Sequence, residues 1–123
     1  MVVLVGSLSG CTVEDIEVDH AAMVAGTYAL GSYDNQLGAY GLLVEDKVVI
    51  TRINNNHIKI HVDFYNSTDD IIADEVQITP NGNRYNLAQT YRFSVLAGSI
   101  DQNYLTFRID YNNGNFDLIT AVK

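Results

Sequence analysis

The stretch His57-Ile58-Lys59-Ile60-His61-Val62-Asp63-Phe64-Tyr65 alternates without a break. Ile58, Ile60, Val62 and Phe64 fall on one parity, and His57, Lys59, His61 and Asp63 on the other. Successive side chains of an extended chain point to opposite faces, so this segment has one apolar face for a core and one polar face for water. Immediately upstream, Asn54-Asn55-Asn56 offers side chains that tolerate left-handed backbone, and residues 47–53 form a second β-rich run. The two runs and their Asn turn predict a hairpin.

Outward from this hairpin the same period recurs. Strands are predicted at residues 24–30, 71–79, 84–89, 91–97, 104–111 and 116–122, with a short one at 42–44. Turn chemistry separates them: Asn66-Ser67-Thr68-Asp69, Pro80-Asn81-Gly82-Asn83 and Asn112-Asn113-Gly114-Asn115. No amphipathic helix can be placed after residue 23. About eight strands with short connections predict an all-β domain, an antiparallel up-and-down β-barrel that closes to hide its edges, with a β-sandwich as the alternative. Expected core residues in the later strands are Phe93 and Val95, then Leu105, Phe107 and Ile109, then Phe116, Leu118 and Val122.

The 123 residues make one domain, and 47% apolar residues against 18% charged suffice to bury a core. No run reaches the roughly 18 apolar residues of a spanning helix. Seven Lys and Arg against fifteen Asp and Glu leave a formal charge of −8, with the bases scattered singly. Such a field repels polyanions, so nucleic acid is excluded as a partner.

The N-terminus carries a different signal. Val2, Val3, Leu4 and Val5 lead into Leu8-Ser9-Gly10-Cys11, and Cys11 is the one cysteine in the chain. An apolar run, small residues and then Cys is the form of a bacterial lipobox, where cleavage before the Cys is coupled to acylation of its thiol. Ten residues precede Cys11 and none is basic, which is short for a secretory leader. Residues 1–10 are therefore expected to be a signal-peptide remnant, with Cys11 the lipid-attachment residue. Residues 11–22, which include Glu14, Asp15, Glu17 and Asp19, form an acidic tether, and residues 23–123 form the barrel domain.

Gly26-Thr27-Tyr28 opens the first strand where lipocalins begin theirs with Gly-x-Trp. With the lipobox and the meander, it makes the chain resemble the calycin group of small lipocalin-like barrels, especially short lipoproteins of that build from Bacteroidetes. The resemblance covers about residues 24–122. Two departures from the pattern are plain: Tyr28 stands in place of the Trp, and no Arg lies in the final strand to stack over it. The resemblance implies a ligand pocket at one barrel end, partly closed by a loop at 31–41, with Tyr33, Asp34 and Tyr40 as ligand-binding residues.

Chemistry beyond binding is sparse. No catalytic residue is assigned, because no G-x-S-x-G occurs and the adjacent acid pairs point to opposite faces of any strand. No metal ligand and no cofactor is assigned either. His57 and His61 share a face but lie about 13 Å apart along a strand; His61 with Asp63 could chelate only if a neighbouring strand supplied a third ligand. Asp110-Tyr111-Asn112-Asn113-Gly114 departs from calcium-loop spacing and reads as a hairpin turn.

The sequence thus predicts a non-enzymatic envelope lipoprotein domain, held at the outer membrane through its N-terminal lipid alone. It would bind a small apolar or amphipathic ligand or serve an envelope assembly. The alternative is a carbohydrate- or protein-binding adhesion module on an exposed strand face, for which twelve asparagines and eight tyrosines are suited.

Overall fold

A computed structural model describes residues 18–123. A short helix, α1 (His20–Val24), precedes nine strands: β1 (Gly26–Asn35), β2 (Gly38–Ala39), β3 (Lys47–Asn54), β4 (His57–Asp63), β5 (Ile71–Asn81), β6 (Arg84–Thr90), β7 (Ser94–Asp101), β8 (Tyr104–Tyr111) and β9 (Phe116–Val122). Each strand from β3 to β9 pairs antiparallel with the next, and β9 pairs back onto β1. The result is a closed, eight-stranded, up-and-down barrel, with β2 an extra strand hairpinned onto the end of β1. Among the described residues, closure leaves none of these eight strands at the edge of the sheet.

The alternation at 57–65 does what its period dictates. Ile58, Ile60 and Val62 are buried inside the barrel while Lys59, His61 and Asp63 face out. Val48 and Ile50 from β3, Val76 and Ile78 from β5, and Leu105 and Phe107 from β8 meet them in one core. Each buried side chain of this size stabilises the fold by about 1.5–3 kcal/mol.

The two ends of the barrel differ. At one, α1 acts as a plug: Asp19 caps it by accepting from the Ala22 N–H, and Ala21 and Val24 are buried. The Ala21 N–H donates to the Asn55 carbonyl in the β3–β4 turn (3.0 Å), and the Arg52 guanidinium grips Asp19 (2.7 Å). Tyr28 is fully buried just above and donates its hydroxyl to the Val24 carbonyl (2.8 Å). Lys123, following β9, carries its ammonium 5.7 Å from the Tyr28 ring centre and donates to the Ala25 carbonyl. A cation therefore stands over the first-strand aromatic, although it is a Lys beyond the last strand and not an Arg within it. The opposite end, the mouth, is formed where β4 turns into β5, β6 into β7 and β8 into β9.

Several expectations are corrected. The loop at 31–41 is mostly sheet: β1 runs on to Asn35 and turns through Gln36 and Leu37 into β2. A bulge at Gly31 makes this continuation possible, shifting the register against β9 between Leu30 and Ser32. A Cβ at Gly31 would lie 3.2 Å from the Thr120 hydroxyl, so the close strand approach suits glycine. Residues 42–44 form no strand. Phe93 and Val95 are 58% and 49% exposed, because the chain bends at 91–93 and β7 begins only at Ser94, leaving Leu96 and Ile100 to face the core. In β9 the parity is opposite to that expected: Asp117, Ile119 and Ala121 are buried, and Val122 is half exposed. Leu105, Phe107 and Ile109 are buried as expected. The acidic segment at 11–22 gives way to folded structure before residue 23, since α1 starts at His20. Cys11 and residues 1–17 lie outside the described residues.

Candidate functional site in the barrel mouth

The chain arrives at the mouth on the last residues of β1, β4, β6 and β8 and the first of β5, β7 and β9. Inward parity there presents polar groups where the rest of the barrel is apolar. Asp117, the first inward residue of β9, accepts one hydrogen bond from the Tyr33 hydroxyl and one from the Tyr111 hydroxyl, each 2.6 Å. The Asn35 amide donates to the Tyr33 oxygen (3.1 Å). Burial, reinforced by the hydrogen bond to Asp117, pushes the Tyr33 phenol up to about 12. The same two causes push Tyr111 up as well. Both phenols are therefore neutral at ordinary pH and donate their protons to Asp117.

Beside Tyr111 lies a cavity of about 260 Å³, walled by Ile71 and Ala73 of β5, Gln89 of β6, Leu96 of β7 and Ile109 of β8, with Tyr91 and Ser94 at its rim. Gln89 is 8% exposed. Among the described residues neither its Oε1 nor its Nε2 has a hydrogen-bond partner. Both atoms are covered by neighbours, so engaging them takes a rotation of the side chain toward the cavity. Burying an amide without a partner costs about 1–3 kcal/mol, which folded proteins rarely leave uncompensated.

On the other side of Tyr33 three rings cluster: Tyr33 to Tyr40 at 5.5 Å, Tyr33 to Phe64 at 5.2 Å and Tyr40 to Phe64 at 5.6 Å between centroids. They border a second hollow of about 230 Å³ that reaches Ser67 and Asp69. The buried Asp46 carboxylate ties the chain before β3 to the chain just after β4, accepting from the backbone N–H groups of Leu43 (2.7 Å) and Tyr65 (2.8 Å).

Of the three ligand-binding residues expected from the sequence, Tyr33 and Tyr40 meet at the mouth. Asp34 does not join them, because alternation after the Gly31 bulge places it on the outer side of the sheet, opposite Leu118 and Ala39. Gln89, Tyr111 and Asp117 were not expected there. Asp117 carried a signal: a carboxylate between Phe116 and Leu118 in an apolar strand asks for a partner. His57 hydrogen-bonds Asn54 (3.0 Å) in its hairpin, and His61 hydrogen-bonds Asp70 (2.8 Å) on the outer wall. Tyr111, Gly114 and Asn115 close an ordinary hairpin turn in place of a calcium loop.

No protein-family model and no curated protein matches the chain. Among solved structures, it is similar to the crystal structure of a "putative outer membrane protein" from Bacteroides fragilis, with a TM-score of 0.64 and 16% identity. The match covers 86% of this chain and 53% of the other, so the chain spans about half the length of that protein. At this identity the likeness is one of fold.

Proposed function

We propose that this domain is a non-enzymatic binding barrel of the bacterial envelope, carried on a lipid at Cys11, which takes a small amphipathic ligand into its mouth. The observation that carries the reading is Gln89: a covered amide with no partner among the described residues, in the wall of a cavity of about 260 Å³. Its surroundings suit a molecule with an apolar body and a hydrogen-bonding end, since the lining combines Ile71, Leu96 and Ile109 with the hydroxyl-bearing Tyr91, Ser94 and Tyr111. The formal charge of −8 and the Asp70 carboxylate at the same wall favour a neutral or cationic molecule over an anion.

Envelope placement is supported by the lipobox and by the Bacteroides outer-membrane neighbour. Insertion of the barrel itself is opposed by its polarity. A lipid-spanning barrel is apolar outside, whereas Lys59, Asp63, Asp74, Gln77, Asn86, Arg108 and Asp110 face outward here among only scattered apolar residues such as Ile72 and Val95. Anchoring through an N-terminal lipid reconciles an envelope address with a water-facing wall.

Two measurements test this. Titration of the full chain with the uncharged probe N-phenyl-1-naphthylamine should give saturable fluorescence enhancement that Ser94→Trp, which blocks the rim, abolishes. Absence of saturation, or binding that Ser94→Trp leaves unchanged, counts against the mouth as the site. Mass spectrometry of the protein matured in its host should find a diacylglyceryl group on a chain beginning at Cys11, and an unmodified Cys11 would remove the anchor.

A further inference from the structure

We propose that His61, Asp63 and Asp70 form a divalent-metal site of the zinc type on the outer wall of the barrel, beside its mouth. His61 and Asp63 sit two residues apart on β4 and so share its outer face. Asp70 comes from the other arm of the β4–β5 turn, one residue before β5 begins at Ile71, where Val62 pairs with Ile71 and His61 with Ile72. Antiparallel return of the chain thus delivers the third ligand that His61 and Asp63 lacked in the sequence. One ligand atom from each of the three lies within 4.8 Å of the others.

The distances suit an ion with bonds near 2.0–2.2 Å, around which neighbouring ligand atoms stand about 3.5 Å apart. His61 Nε2 and Asp70 Oδ2 are now 2.8 Å apart, so this pair opens slightly, while the other separations, none above 4.8 Å, close by at most about 1.3 Å. Asp70 is already held: its Oδ1 accepts from the Phe64 backbone N–H (3.3 Å), leaving Oδ2 aimed at the imidazole. That contact is the outer-shell support that orients a ligating carboxylate. The cation now nearest Asp63 is the Lys47 ammonium, 4.0 Å away between half-exposed groups. Such a pair is worth little and yields readily to a doubly charged ion.

The donor set decides the class of metal. One imidazole nitrogen with two carboxylate oxygens is a borderline set that favours Zn²⁺ and its first-row neighbours. Ca²⁺ wants six to eight oxygens and Mg²⁺ an octahedron of them, so neither is matched. Three protein ligands leave at least one coordination position open to the outside, for water or a donor from another molecule. Because Asp70 also lines the mouth cavity, a bound ion would brace the β4–β5 turn at the rim.

The test is calorimetric titration of the full chain with ZnCl₂ in a Cys11→Ala background, which removes the thiol as a competing ligand. A single one-to-one event is expected, weakened at least tenfold by each of His61→Gln, Asp63→Asn and Asp70→Asn, and undiminished by millimolar Ca²⁺ or Mg²⁺. His57→Gln, in the neighbouring hairpin, should leave it unchanged. Co²⁺ should give a visible d–d spectrum in the Cys11→Ala protein that Zn²⁺ bleaches, a readout independent of whether the variants fold. No Zn²⁺ binding, binding that survives His61→Gln, or displacement by Ca²⁺ would overturn the proposal.

Discussion

Gln89 and Asp117 are inward polar residues at the same end of the barrel, with opposite accounts. Asp117 is supplied with two phenolic donors, whereas the Gln89 amide has no partner among the described residues. Gln89→Leu, close in size, should therefore raise the unfolding free energy by about 1–2 kcal/mol, read from the urea midpoint at constant slope. A less stable variant would mean that the amide is satisfied. The phenols make a pH prediction. Tyr33 is pushed up to about 12, and Tyr28 and Tyr111 are also raised, chiefly by burial. A group whose pKa rises on folding contributes stability that is complete below its unfolded value, near 10, and is lost as pH climbs toward the folded value. Stability should thus fall between about pH 10 and 12. In a spectrophotometric titration three of the eight tyrosines should ionise late, together with unfolding. Normal titration of all eight would refute the buried network.

At the scale of the element, β7 and β8 approach unusually closely at Gly98, which pairs with Phe107. A Cβ there would fall 2.2 Å from the Thr106 carbonyl oxygen and 2.6 Å from the Phe107 Cα, both backbone atoms that cannot swing aside. Gly98→Ala should therefore cost about 3 kcal/mol or more, seen as a sharp loss of thermal stability; a neutral effect would show that the ladder can open without penalty. The strands that the sequence placed well are those whose alternation is uninterrupted, β4 and β8, because a single period fixes both element and face. It misled where one residue shifts parity. In β9, Phe116, Leu118 and Val122 form a more apolar set than Asp117, Ile119 and Ala121, yet the second set is inside because Tyr33 and Tyr111 are there to receive the carboxylate. In β1 the Gly31 bulge adds a residue, and a segment rich in Gly and Tyr continues as strand because β9 lies alongside to pair with it.

For the molecule as a whole, the described residues carry twelve acids against seven bases, a net charge of −5 on the closed shell, which means self-repulsion in the folded state. Moderate NaCl should raise the urea midpoint, since screening relieves that repulsion while the few exposed ion pairs contribute little; a falling midpoint would show the pairs dominate. By itself the sequence determined the β period, the turns between the later strands, the excess of acid and a count of about eight barrel strands, because these follow from steric preferences and solvent partition acting over a few neighbouring residues. Only the tertiary structure decided that the sheet closes by β1 on β9, that α1 plugs one end, and which parity faces inward where both were plausible. It also decided the site: Tyr33 meets Asp117 across 84 positions of chain, and Gln89 faces a cavity with walls from four strands. Such contacts depend on which strands become neighbours, and no local pattern encodes that.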